Sequence, residues 1–498
     1  MRPDHPIPEP PGQALDLRRI PVRSGARLEI DPSECKRSRH RAPCRVVGRH
    51  PPPGSRHSAA GLGRDCRSLR PWAATRSPHL LPSLRMSLMC GSYSAKLGFM
   101  ANGTKHSIGA RIAALRKLHG ATQHALALRA NVSYSLLRKV ERGERPASPT
   151  FVAAVARALS VNVTDLTEQP YDAREARPES EQAGVPALRQ ALVEGADPEL
   201  DCEPRPLAEL RRELGVIKEL DRRTKHAEVV RALPDVLRHL HRACNDTRAA
   251  DRPAAHELIS SAYAFAVISL YRLGHLDLAH LADERSRATA GQGDDPLRAA
   301  VAEWNHALIL LFDGSYRIGL RSIDRSMNYA GQGAASPATT AVRGALHLRA
   351  AMLAARTGNA DLADTHIAEA ADLVAPGQEV ANFYGTKFSG ANVAIHRVAV
   401  PVELSDGTTA VTRASGIRLP SDTAPSRAGH YWIDLARAWL LHGDRSRALD
   451  SLQQARKIAP QLTRYHPQVH ETVHALAISD SRSTHSLSHF AAWCGVRN

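Results

Sequence analysis

Cysteine is sparse in this chain, and its spacing forms no cluster. Seven cysteines occur among 498 residues, four of them in the first 100, with no C-x-x-C pair. Cys202, Cys244 and Cys494 stand alone. That excludes a disulfide scaffold and fits a reducing compartment. No run of about 18 apolar residues is present, which excludes a helical membrane span. The N-terminus lacks the apolar core of a signal peptide. A cytoplasmic protein without membrane attachment is therefore expected. A Gly-rich phosphate loop and a G-x-S-x-G elbow are also missing, and the scattered Ser, His and Asp residues assemble into no triad. No enzyme activity and no cofactor are expected.

The length leaves room for two or three domains. The formal net charge of +16 is unevenly spread. Residues 1–100 hold 18 Lys/Arg against 7 Asp/Glu, and residues 101–170 hold 10 against 4. Residues 171–498 hold 38 against 39 and are close to neutral. The basic excess lies in the first third, so the remainder serves a different partner.

The stretch 122–143, TQHALALRANVSYSLLRKVERG, carries the clearest pattern. It predicts two short helices joined by a tight turn at Ala130-Asn131-Val132. Leu126 and Ala127 face inward on the first. Ser133 stands where an N-cap is wanted, its hydroxyl accepting from an early backbone N–H. Leu136, Leu137 and Val140 follow at helical spacing and face a core. Tyr134, Ser135, Arg138, Lys139 and Arg142 are left pointing out, a polar and basic face that suits a DNA major groove. A preceding helix is expected near Ser107–His119, with Ile108, Ile112 and Leu115 on one side. A fourth begins at Ser148-Pro149, a cap followed by proline at the first helical position. It is lined by Phe151, Val155 and Leu159. A fifth, short one is expected near Val163–Leu166.

On Thr122-Gln123, Leu126-Ala127, Val132-Ser133 and Val140-Glu141-Arg142-Gly143, the chain resembles the Cro/CI-type (XRE-like) helix-turn-helix regulators. Asn131 replaces the usual turn glycine, and it tolerates a left-handed backbone better than most residues. Ala125 stands where a Glu would complete a capping box. The resemblance implies a five-helix DNA-binding domain over 107–167, with helix 133–142 in the major groove of double-stranded DNA. Gln123 is expected to hold the DNA backbone. Ser133 caps the reading helix. Tyr134, Ser135 and Arg138 are expected at base edges, with Arg138 best suited to guanine. Lys139, Arg142 and Arg145 are expected on phosphates. A homodimer on a two-fold operator is also implied.

Residues 1–100 are rich in Arg, Pro, Ser and His and lack periodicity, as in Pro51-Pro52-Pro53-Gly54. A disordered basic tail is expected there. It can be read as an arm adding non-specific DNA affinity. The preferred reading is upstream GC-rich DNA read in frame, with the start at Met100, or else at Met86 or Met89. Residues 168–206, punctuated by proline, read as a linker with one short helix near Ala187–Val193.

From Leu207 to residue 498 the pattern is helical and rich in alanine. Glycines recur between helix pairs at Gly274, Gly314, Gly358, Gly407 and Gly443. Gly443 is the clearest, with Trp432, Ala436 and Trp439 before it and Ala448, Leu452, Ala455 and Pro460 after it. Gly407 is the degenerate copy, with Val400 and Thr412. This set resembles tetratricopeptide repeats, with longer and less even spacing. An all-α protein is expected, ending in an α-solenoid of helical hairpins whose inner face forms a groove. Asn305 and Asn392, on leading helices, are candidates to bond a peptide backbone there. A helix-turn-helix followed by helical repeats looks like the peptide-responsive regulators of bacteria. A repeat scaffold that recruits a partner to DNA remains the alternative reading.

His470-Glu471-Thr472-Val473-His474 matches H-E-x-x-H, the pattern of a zinc metalloprotease. Asp480 is ten residues from His470, but the chain has Ala477 where the needed glycine turn would be, and no Glu follows Glu471. The preferred reading is an amphipathic closing helix packing through Val469, Val473 and Leu476, with no metal bound.

Overall fold

The computed structural model describes residues 107–496, apart from 172–178, 199, 201–202, 247–250, 375–381 and 480–484. The expected basic tail, Pro376 and Asp480 lie outside the described residues. Every regular element among the described residues is helical. None of these helices is long and apolar enough to cross a membrane.

Five helices open the described chain: α1 (Ile108–Leu118), α2 (Gln123–Ala130), α3 (Tyr134–Glu141), α4 (Pro149–Leu159) and α5 (Val163–Thr167). Each is started by local chemistry. The hydroxyls of Ser107, Thr122, Ser133 and Ser148 accept from backbone N–H groups in the first turns of α1 to α4. Each such cap is worth about 1 kcal/mol. One core joins the five, built on Ile112, Leu126, Leu137, Val155, Leu159 and Leu166. All six are fully buried, which contributes about 1.5–3 kcal/mol per side chain.

The chain continues through α6 (Glu179–Gln182) and α7 (Val185–Glu194). In the segment read as a linker, α7 buries Val185, Leu188 and Leu192 in the same core as α9. Glu194 at its end pairs with Arg238 at 2.7 Å. The short helix expected near Ala187–Val193 is α7, with Pro186 in its first turn, and it packs against the repeats.

Paired helices follow: α8 (Leu207–Arg222) with α9 (His226–Asp246), α10 (Arg252–Arg272) with α11 (Leu276–Ala290), and α12 (Pro296–Asp313) with α13 (Tyr316–Gln332). Next come α14 (Pro337–Arg356) with α15 (Ala360–Asp372), α16 (Gly390–Glu403) with α17 (Gly407–Ala414), and α18 (Pro425–His442) with α19 (Arg445–Ile458). Helices α20 (Pro460–Arg464), α21 (Pro467–Ser479) and α22 (His485–Cys494) close the chain.

The repeat logic holds at four glycines. Gly274, Gly314, Gly358 and Gly443 all take positive φ in the turn between paired helices, a conformation open to glycine without a Cβ penalty. Five residues later Ala279, Ala363 and Ala448 are fully buried. Gly319 sits there in the second copy, where a Cβ would lie 2.7 Å from Leu353. The copy assigned to Gly407 is corrected. The left-handed turn residue is Ser405, at φ 64°. Five residues on, the buried small residue is Ala410, whereas Thr412 is exposed. Gly407 is needed for close approach instead, since a Cβ there would lie 2.5 Å from Leu441 Cβ. A search keyed to glycine therefore placed the turn two residues late.

Candidate nucleic-acid interface

The turn between α2 and α3 is made by Asn131, at φ 52° and ψ 46°. Ser133 then caps α3, its Oγ accepting from Leu136 N at 3.1 Å. Leu137 and Val140 are buried, and Leu136 is half-buried. Behind them α1 crosses very closely. A Cβ on Gly109 would fall 2.0 Å from the Val140 carbonyl oxygen, so only glycine fits.

A polar clamp fixes the same crossing. Arg116 on α1 donates to both carboxylate oxygens of Glu141, at 2.7 and 3.1 Å, and to Ala121 O at 2.9 Å. Gln123 Nε2 donates to Glu141 Oε2 at 2.7 Å. Three helices are thereby tied at one carboxylate by charge-assisted bonds. Sequence reasoning used Glu141 only as a family marker and did not reach Arg116. The two lie 25 residues apart, and nothing in either local pattern announces the pairing.

Most of the expected contact residues project from α3 and the turn after it. Ser135, Arg138, Lys139 and Arg142 are exposed. Tyr134 is 42% exposed, its ring centroid 5.8 Å from that of His124. Arg142 makes a surface ion pair with Glu144 at 3.2 Å. Two expected residues are occupied within the protein: the Gln123 amide is committed to Glu141, and the Ser133 hydroxyl to the cap. Arg145 is exposed and borders a crevice between the loop after α3 and helices α18 and α21.

Residues 112–166 match the family model described as Helix-turn-helix. These residues are a helix-turn-helix domain. No curated protein matches the chain. Among solved structures, the chain is similar to Bacillus thuringiensis PlcR in complex with the peptide PapR7 and DNA. That likeness has 14% identity, covers 54% of this chain and 94% of the other, and superposes loosely at a TM-score of 0.23.

The helix-turn-helix domain is seated on the repeats through α4 and the loop between α3 and α4. Arg157 Nη1 donates to Gly314 O at 3.0 Å, and Thr150 Oγ1 to Arg356 O at 3.4 Å. A Cβ on Gly314 would fall 2.4 Å from Ala153 Cβ, and one on Gly274 would fall 2.9 Å from Pro170 Cα. Gly314 thus serves both its hairpin and the domain contact, and Gly274 its hairpin and the segment just after the domain. At Gly358 and Gly443 nothing beyond the adjoining chain lies within 4 Å of the same position.

The H-E-x-x-H residues belong to this seam. Glu471 Oε1 accepts from Ala147 N at 2.7 Å. Burial pushes its carboxyl up to about 7, although the Ala147 bond and Arg111 pull the other way. His470 stacks on Tyr171 at 3.9 Å, and its Nε2 bonds Arg464 O at 2.7 Å. Burial lowers His470 to about 4. The apolar positions Val469, Val473 and Leu476 of the helix that carries the motif are buried in the last core. The motif joins domains through these contacts, with Glu471 directed at a backbone amide.

Leading helices α10, α12, α14, α16 and α18 share an inner cavity of about 220 Å³. Asn305 on α12 lines it, and is itself buried. Asn392 is not part of this wall. It sits in the first turn of α16, its Nδ2 donating to Lys387 O at 3.2 Å. A leading-helix position does not by itself aim a side chain at the groove, because that direction depends on helix phase. Glu403 anchors one end of the cavity, bound by Arg356 and Arg437 at 2.8 Å each. Burial works against its charge, but the two guanidiniums outweigh it and hold the carboxyl at about 2.

Proposed function

We propose that this protein is a sequence-specific transcriptional regulator. Helix α3 enters the major groove of double-stranded DNA, and the repeats serve dimerisation, effector sensing or both. The observation that carries this reading is the rigid mounting of an exposed face. Leu137 and Val140 bury one side of α3, the Arg116–Glu141–Gln123 clamp holds its end, and Ser135, Arg138 and Lys139 face outward. Eight helical residues span about 12 Å, comparable to the width of the groove. Arg138 supplies a fork for guanine O6 and N7, while Lys139 and Arg142 supply point contacts to phosphate. Tyr134 and Ser135 complete the base-reading set, with Arg145 at its edge. Gln123 acts through the clamp, presenting α3 rather than gripping the DNA backbone by its amide.

The repeats take a small effector in the groove, a peptide among the candidate chemistries, and pass its presence to the seated domain. Selection of bound DNA from a random pool by the full chain tests the reading. A two-fold motif is expected, with half-site centres about 34–36 Å apart. Retention of DNA without enrichment of any sequence would instead favour a scaffold that anchors a partner to DNA.

A further inference from the structure

The cavity wall holds more cations than its carboxylates engage. Asp221, Glu403 and Asp434 supply the carboxylates, and Arg272, Arg349, Arg356, Arg427, Arg437 and Lys387 the cations. Glu403 takes Arg356 and Arg437, Asp434 takes Arg437 at 3.0 Å, and Asp221 takes Lys387 at 3.3 Å. Arg272, Arg349 and Arg427 are left without a carboxylate bond among the described residues. The Nε atoms of Arg349 and Arg427 are buried with no hydrogen-bond partner. Arg349 lies over the Trp304 ring at 4.7 Å and Arg272 over that of Tyr271 at 5.0 Å.

These three guanidiniums come from α10, α14 and α18, three separate leading helices of the stack. They are close enough to oppose one another's charge. After burial, Arg427 and Arg272 are the next causes that lower Arg349, to about 9, and Arg272 also lowers Arg427, which stands at about 10. Buried charges are normally paired. Asp221 is near enough to favour the charges of Arg272 and Arg427 but is bonded to Lys387. Three half-buried guanidiniums thus share one carboxylate that none of them bonds, and an incoming anion would relieve that cost through bidentate bonds. Part of the wall is apolar, with Phe265, Ile268, Leu308, Leu311, Phe312 and Met352 facing the same space, and Asn305 and the imidazoles of His226, His396, His430 and His466 line another part. Pro149 and Val152 of α4, and Val163, Thr164 and Thr167 of α5, form a further part of it. The helix-turn-helix domain is therefore itself a wall of the cavity.

We propose that the inner cavity binds an amphipathic organic anion, a carboxylate or phosphate on an apolar body, with Arg272, Arg349 and Arg427 holding the charged group. Because α4 and α5 close the site, the occupied cavity presses directly on the DNA-binding domain. The inference rests on the effector-sensing half of the proposed function and names the ligand's chemistry. The charged group has two sources, a free organic acid or phosphate ester, and the C-terminal carboxylate of a short apolar peptide.

Calorimetry on the full chain separates them. One arm compares hexanoate and hexyl phosphate with neutral hexanol. The other compares a four-residue apolar peptide carrying a free carboxylate with its C-terminal amide. In at least one arm the anion is expected to bind ten-fold or more tightly than its neutral partner, and the arm that responds names the source. The double variant R349Q/R427Q should lose that preference while binding the neutral partner as before. Equal binding of anion and neutral partner in both arms, or no binding at millimolar concentration, would overturn the proposal. So would an unchanged preference in a folded double variant. If that variant does not fold, the wild-type contrast between anion and neutral partner decides alone. Operator binding is measured separately. Its failure would remove the regulator reading and leave the anion result standing, whereas failure of anion binding would leave α3 unaffected.

Discussion

The outer face of α3 and the inner face of the repeats are both rich in cations, but they hold them in opposite ways. Arg138, Lys139 and Arg142 stand in solvent on a short helix. Arg356 and Arg437 are sunk around Glu403, whose side chain is 2% exposed. Exposed charges are screened over a Debye length of about 8 Å at physiological salt, so the outer face suits a long-range, salt-sensitive partner such as DNA. Buried charges are desolvated and weakly screened. They suit short-range work, either holding the fold or recognising a ligand that has shed its water. Charge count alone would not separate the two faces; burial does.

The largest expected effect breaks the inner face. Glu403→Ala leaves Arg356 and Arg437 buried without their shared partner and should cost about 3–5 kcal/mol of stability. Denaturant unfolding measures it. The pH dependence has a definite sign. Because the folded carboxyl lies near 2, its contribution is present above the unfolded value of about 4.5 and is lost as pH falls towards 2. A loss below about 1 kcal/mol would mean that the inner cations tolerate isolation as well as the outer ones do.

A smaller effect is expected at the seam that joins the two faces. Glu471 is raised to about 7 in the folded protein. A carboxyl raised on folding adds stability below its unfolded value, and that contribution fades as pH rises through about 7. Glu471→Gln keeps an acceptor for the Ala147 N–H and removes the buried charge. It should be nearly neutral at pH 5 and stabilising by about 1–3 kcal/mol at pH 8. Thermal melts at the two pH values check this. An equal shift at both would mean that the seam carries no titrating carboxylate.

The outer face was far more legible in the sequence than the inner one. Asn131 in the turn, the hydroxyl caps at Thr122, Ser133 and Ser148, and the buried positions Leu126, Leu137 and Val140 are all local signals. Each needs only a few neighbouring residues to be read. The turn glycines of the repeats were visible for the same reason. What stayed hidden depends on distant residues meeting: Arg116 with Glu141, Arg157 with Gly314, Ala147 with Glu471. Helix α7 was expected as a short helix near Ala187–Val193, but its burial against α9 was not. Ser405 hid because a left-handed turn was sought at glycine alone. Asn392 had the residue type and the helix expected of a groove contact, but its phase on α16 turned it towards Lys387.

The central claim is that α3 reads bases through Arg138 while Lys139 grips phosphate. Its most direct test is fluorescence anisotropy of the full chain on its selected operator and on single-base variants, across a salt series. Arg138→Ala is expected to lose about 1–3 kcal/mol and to relax preference at one base pair. Lys139→Ala should weaken all sequences alike and reduce the salt slope by about 1. Operator affinity and preference unchanged in both variants would contradict the assignment of α3 as the reading helix.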